Sequence, residues 1–158
     1  MTRIACSGHR GLPRHTEQVI DQALRNELAG RTEALVGLSC LADGADTLFV
    51  RALLDADGTL IVVIPAAQYR EGLPQWQHAT YDALLARAAD VIRLDYTESD
   101  SQAHMAASER MLSEADELIA VWDGKPARGY GGTADVVNAA HERGLPVTVV
   151  WPEAATRD

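Results

Sequence analysis

The 158-residue sequence places its only lysine, Lys125, inside the glycine-rich stretch "WDGKPARGYGGTADVVNAA", residues 122–140. Gly131, Gly132 and Thr133 open a segment of helical spacing, so the first N–H groups of a helix and the positive end of its dipole would face whatever lies at that turn. A phosphate or another anion suits that place. Bare amides at Gly131 and Gly132, the hydroxyl of Thr133 and the charge of Arg10, assisted by Lys125 or Arg128, would hold it. The plainer alternative is a tight turn with Thr133 as N-cap, Asp135 complementing the dipole and the cations solvated.

Three other clusters carry chemistry. Ser7, Gly8, His9 and Arg10 follow the first apolar run, and a solvent-exposed loop has no structural need of the His9–Arg10 pair, which points to ligand contact. Asp43, Gly44 and Asp46 stand before or at a helical stretch, where the carboxylates favour the helix dipole. Asp123 leads the glycine-rich loop. Trp76 and Trp122 could stack a base or simply pack. His78, His104 and His141 have no partner at ligand spacing and are expected at the surface. Cys6 and Cys40 form no CxxC pair and have no histidine cluster beside them, so reduced thiols and no metal are expected. Ser7, Cys6, His9 and His15 give no spacing that demands a nucleophilic triad.

The elements that must position these residues follow an alternating rhythm. The runs "RIACS", "ALVGLS", "LIVVI", "DVIRL", "ELIAVW" and "PVTVVW" are continuously apolar, as strands buried on both faces are. Between them, Ile20, Leu24 and Leu28 fall on one helical stripe, as do Leu48, Phe49, Ala52 and Leu53, and then Val136, Val137 and Ala140. The stretch after the third strand becomes helical only near Tyr81, and a further helix is expected around residues 103–115. A three-layer α/β Rossmann-like sandwich with a mostly parallel sheet and a central first strand is the consistent assembly, built as one domain over residues 1–158. In such a sheet the ligand lies at the carboxyl edge, where all four clusters would meet.

Composition narrows the function classes. The net charge of −9 repels a phosphate-rich polymer on average, so no nucleic-acid partner is expected. No apolar run approaches the roughly 20 residues that span a bilayer, which gives the expectation of a cytoplasmic protein with no membrane partner. Small apolar residues on the helices, as in "DALLARAA", suggest helix packing into a homodimer.

The segments "GHRGLP", "LADGADTLFVRALL" and "ADELIAVWDG" with "GGTADVV" resemble the SLOG superfamily, the Rossmann-like group that includes the LONELY GUY enzymes and the DprA DNA-processing proteins. The resemblance runs in order through residues 4–152. It implies a nucleotide or nucleotide-derived ligand with its phosphate on the GGT turn, contact of the GAD segment (Asp43, Gly44 and Asp46) with a ribose hydroxyl, and a homodimer. LONELY GUY enzymes hydrolyse the N-glycosidic bond of nucleoside 5′-monophosphates through a motif similar to PGGxGTxxE. Aligned on Gly132 and Thr133, the glutamate position falls on Val136, and Asp135 lies about 100° round the helix from it. Aligned on Asp116, the arginine position falls on Ala107, with Arg110 three residues later on roughly the same face. Arg110 and Asp135 are therefore the catalytic candidates of a hydrolase reading with relocated groups. Ligand binding as a sensor or carrier is the first expectation, the phosphoribohydrolase the alternative, and an oligomeric scaffold without ligand the second alternative. A DprA-like DNA role is set aside because of the acidic charge and the lack of an extra domain.

Overall fold

The structure is a computed structural model that describes residues 1–157. Its elements alternate along the chain: β1 (Thr2–Gly8), α1 (Arg14–Ala29), β2 (Leu35–Ser39), α2 (Ala45–Asp55), β3 (Thr59–Ile64), the single turn α3 (Tyr69–Gly72), a 3₁₀ turn (Gln75–Gln77), α4 (His78–Leu85), β4 (Asp90–Arg93), α5 (Ser101–Glu114), β5 (Glu117–Val121), α6 (Thr133–Glu142) and β6 (Val147–Val149). All six apolar runs are strands, and every pairing between them is parallel. The sheet order is β4-β3-β2-β1-β5-β6, which puts β1 in the interior.

The alternation of side chains along β1 explains the layers. Ile4 and Cys6 enter one core with Ile20, Leu24 and Leu28 of α1, Phe49 and Leu53 of α2, and Tyr81 and Leu84 of α4. Ala5 enters the other core, against Met105 and Met111 of α5 and Val136, Val137 and Ala140 of α6. Helices thus cover both faces of one sheet, as the three helical stripes require.

The helix starts are set differently. Asp100 caps α5 by accepting the Ala103 N–H at 2.9 Å, so that helix begins two residues before the apolar spacing shows it. α6 has Gly132 as its N-cap with no side-chain cap, and Thr133, expected in that role, is instead its buried first residue. α2 is also capped by glycine. Gly44 has φ +81°, and a Cβ there would lie 2.6 Å from the carbonyl oxygen of His9, so only glycine permits this approach of the β1 and β2 loops.

Candidate functional site

The chain winds from β1 outward to β4 and then returns to β5 on the other side of β1. That reversal leaves a crevice at the carboxyl ends of β1 and β5, where open α/β sheets bind their ligands. A cleft of about 110 Å³ opens there. β1 contributes Cys6, Ser7 and Gly8, the β2–α2 loop Cys40 and Ala42, α2 Asp46, α3 Tyr69, and α5 His104, Ser108 and Met111; Arg10 and Gly131 close its rim.

The β2–α2 loop is held by its own side chains. The Ser39 hydroxyl accepts the Leu41 N–H at 3.0 Å, supporting the positive φ of 58° at that fully buried leucine. Asp46 accepts the Ala42 N–H at 3.2 Å, while Thr47 donates to the Ala42 carbonyl and accepts from Gln77, both at 2.8 Å. Asp43 reaches the other way. Its buried carboxylate accepts from Arg10 Nε at 2.8 Å and from the Gly11 N–H at 3.0 Å, fixing a half-exposed guanidinium at the cleft rim. Asp43 therefore acts through Arg10 and does not itself line the cleft.

Asp46 is the unusual group. Burial raises its carboxyl from about 3.8 to about 7, with Asp43 adding to the rise and the Ala42 N–H and Arg10 opposing it. A carboxyl titrating near neutrality both donates and accepts protons under ordinary conditions. The thiols beside it are the opposite case: burial, with the charge of Asp46, pushes Cys6 and Cys40 well above the usual thiol range. They remain protonated and poorly nucleophilic. His104 is kept neutral, its pKa lowered by burial and then by Arg10; its Nε2 lies 2.8 Å from the Ser99 hydroxyl and its ring meets Tyr69 edge-on at 5.8 Å.

Several residues singled out in the sequence lie elsewhere. His9 does not sit in an exposed loop: its ring is buried, accepts the Asp123 N–H at Nε2 (3.0 Å) and meets Trp151 edge-on at 5.5 Å. The need for a histidine there is structural, because it stitches the β1 loop to the β5 loop. The amides of Gly131 and Gly132 are not bare. Gly131 N–H donates to Asp135 at 2.8 Å and Gly132 N–H to the Gly129 carbonyl at 3.2 Å, so Asp135 folds back onto the loop. Arg110 is exposed on α5 and pairs with Glu114 at 2.9 Å, away from the cleft. Lys125 and Arg128 line a separate cleft with Asp123. Trp76 is exposed, and Trp122 donates to the Lys125 carbonyl at 2.8 Å.

The residues that complete the cleft and were missed are Tyr69, His104 and Ser108, with the two cysteines. His104, expected at the surface, is half-buried because α5 turns that face toward α3. Only the i, i+4 spacing of His104 and Ser108 signalled a shared face. Among the described residues, no three His, Cys, Asp or Glu side chains gather as a metal site, and no helix is long and apolar enough to cross a membrane.

No family model matches the chain, and no curated protein matches it. Solved structures do. DNA processing protein A (DprA) from Streptococcus pneumoniae superposes with a TM-score of 0.67 at 20% identity over 98% of this chain, which spans about half of that one (52%). DprA from Helicobacter pylori, whose structure concerns its single-stranded DNA binding mode, gives 0.66 at 16% identity, covering 98% of this chain and 68% of that one. The structural-genomics protein TM1055 gives 0.60 at 18% identity over 93% and 72% of the two chains. The expectation of no nucleic-acid partner is overturned by this: the fold occurs in a protein that binds single-stranded DNA. A net charge averages over the whole surface, and here Lys125, Arg128 and Arg157 share one cleft. What this chain has in common with these proteins is a Rossmann-like fold.

Proposed function

We propose that the cleft at the carboxyl edge of β1, β2 and β3 binds a nucleotide or a nucleotide-derived, phosphate-bearing small molecule. The observation that carries this reading is the meeting of a fixed cation, Arg10, with a buried proton-exchanging carboxyl, Asp46, at the point where the strand order reverses. Arg10 supplies the charge for a phosphate, and Gly8 lines the cleft beside it. A Cβ at Gly8 would stand 2.7 Å from that of Val121 and closer still to that of Ala45, so β1 passes tightly beneath the start of α2. Asp46, Ser7 and Tyr69 offer donors and acceptors for the hydroxyls of a sugar. The expected contact of the GAD segment with a ribose thus rests on Asp46, with Gly44 shaping the loop and Asp43 holding Arg10. Gly131 closes the phosphate end, and Gly132 and Thr133 start the helix behind it.

A hydrolase reading is favoured by one observation, the near-neutral titration of Asp46. In that reading Asp46 serves as the acid that protonates a departing base, a role that Arg110 and Asp135 are poorly placed to fill. Helix packing into a homodimer belongs to the same proposal, and light scattering showing a strict monomer at tens of micromolar would remove it.

The test of binding is a thermal-shift panel of nucleoside mono- and diphosphates, cyclic nucleotides and dinucleotides. A ligand at about 100 times its Kd raises stability by roughly 2.7 kcal/mol. Ser108→Leu, which fills the cleft from α5, should fold and lose that increment. No shift in the parent protein, or an equal shift in the variant, refutes the reading; release of free base from a nucleoside monophosphate decides for the hydrolase.

A further inference from the structure

A third cleft, of about 430 Å³, opens at the carboxyl ends of β3 and β4, the outer pair of strands. That volume is several times that of the Arg10 cleft and falls in the range of about 300–1,000 Å³ usual for small-molecule sites. Fixed structure builds its walls. The loops that follow the two strands are stitched together, the Ala67 N–H donating to the Tyr96 carbonyl at 2.8 Å and the Gln68 N–H to the Thr97 carbonyl at 3.0 Å. α4 contributes Tyr81, Asp82 and Leu85. Arg70 of α3 reaches Asp82 with two hydrogen bonds of 2.8 Å, so a bidentate pair ties α3 to α4 beside the cleft.

Tyr81 is the unusual residue of this cleft. It is 3% exposed, and among the described residues its hydroxyl has no hydrogen-bond partner. No side-chain polar atom sealed from solvent lacks a partner among those residues, so the hydroxyl must open into the cleft that its ring lines. The charges that act on it lie in the same place. Burial raises the phenol above its ordinary value, the Arg93 guanidinium opposes that rise, and Asp82 adds to it. The phenol therefore stays protonated and can donate. Arg93 ends β4 at the cleft, and among the described residues its guanidinium enters no ion pair or hydrogen bond, whereas Arg70 is occupied by Asp82. A buried donor and a guanidinium suit one carboxylate group, which accepts a hydrogen bond from each. Charge argues against phosphate. Two arginines and three carboxylates line the cleft, so a dianion would be repelled where a monoanion is held. Leu85, Leu94 and the half-exposed Tyr96 give the rest of such a ligand an apolar surface.

We infer that the cleft at the ends of β3 and β4 is a binding site for a small organic monocarboxylate with an apolar body, its carboxylate held by the Tyr81 hydroxyl and the Arg93 guanidinium. The site is separate from the Arg10 cleft and stands whether or not that cleft binds a nucleotide.

The experiment measures equilibrium binding of four probes to the full chain at neutral pH: 3-phenylpropionate, L-phenylalanine, 3-phenylpropionamide and inorganic phosphate. At least one of the two carboxylates should bind at millimolar concentration or below, and the neutral amide and phosphate should each bind about tenfold more weakly than it. Tyr81→Phe keeps the ring in the core and removes only the hydroxyl, so it should fold with the stability of the parent and weaken carboxylate binding about tenfold. Arg93→Gln, an exposed change, should weaken it by as much. Ser108→Leu, in the Arg10 cleft, should bind as the parent does. L-Phenylalanine binding tighter than 3-phenylpropionate assigns the ligand an ammonium group, received by Glu71 or Asp95; the reverse order assigns a plain acid. The proposal is overturned if neither carboxylate binds at millimolar concentration, if the amide or phosphate binds as well as the carboxylates, if both Tyr81→Phe and Arg93→Gln bind as the parent does, or if Ser108→Leu alone abolishes binding.

Discussion

The two clefts on either side of the β5–α6 loop are lined by different sets of side chains. The cleft at the ends of β1 and β2 is close to neutral: one guanidinium is tied to Asp43, and a buried carboxyl lies among protonated thiols and a neutral histidine. The cleft beside β5 is lined by Asp123, Lys125, Arg128, Trp151 and Arg157. The difference lies in what each would have to recognise. A desolvated carboxyl that exchanges protons near neutral pH discriminates hydroxyls and neutral groups at close range. An average charge hides both.

The largest expected effect separates them by pH. Asp46 has its folded-state pKa raised from about 3.8 to about 7. Its contribution to stability is therefore complete below about pH 4 and is lost as pH rises through 7. Asp46→Asn should remove that loss, so the variant's advantage in urea denaturation grows from pH 5 to pH 8 and reaches about 2–4 kcal/mol. Parallel stability curves for the two proteins would mean that Asp46 is an ordinary carboxylate and that the first cleft has no proton-exchanging group.

Asp43→Ala comes next. It leaves the Gly11 N–H and the Arg10 guanidinium without their acceptor, at a cost of about 1–3 kcal/mol, and it frees the cation that the proposed phosphate needs. A variant that is destabilised yet binds nucleotide like the parent would show that Arg10 needs no anchoring.

His9, which backs the second cleft, has the opposite sign to Asp46. Burial and the charge of Arg157 depress its folded-state pKa, so its contribution is present above about pH 6.5 and is lost as pH falls through the depressed value. His9→Gln should flatten the decline in stability between pH 7 and pH 5 and leave the Asp46 effect unchanged. The smallest effect is expected at Arg110. Its exposed i, i+4 pair with Glu114 contributes under about 0.5 kcal/mol, and Arg110→Ala should alter neither stability nor binding in either cleft. A loss of hydrolysis in Arg110→Ala would restore it as a catalytic candidate.

How far the sequence announced this arrangement depends on the range of the interactions involved. The strands were legible because six continuous apolar runs suit a parallel sheet buried on both faces, and Ile20, Leu24 and Leu28 show the face of α1 directly. The junctions were legible as places, since glycines and charges gather at the carboxyl ends of the strands. The roles of single residues were not. His9 reads as exposed because its neighbours are glycine and arginine, but its partner Asp123 is 114 positions away. Asp135 reads as a dipole charge, and only the turn geometry reveals that it takes the Gly131 amide. Tyr69 and His104 lie in a polar stretch and the start of a weakly patterned helix, and only the packing of α3 against α5 brings them to Asp46. The cleft beside β5 needed the return of residues 155–157 over α1, a contact between Thr16 and Thr156 that no local pattern encodes.

The measurement that bears most directly on the central claim is a map of amide chemical shifts during titration with the nucleoside phosphate that gives the largest thermal shift. The account predicts that the resonances of Ser7, Gly8, Arg10, Ala42 and Gly131 move together and saturate with one Kd, while those of residues around Arg110 stay still. If the amides of the β1–β2 cleft do not move with any nucleotide of the panel, the cleft is not a nucleotide site.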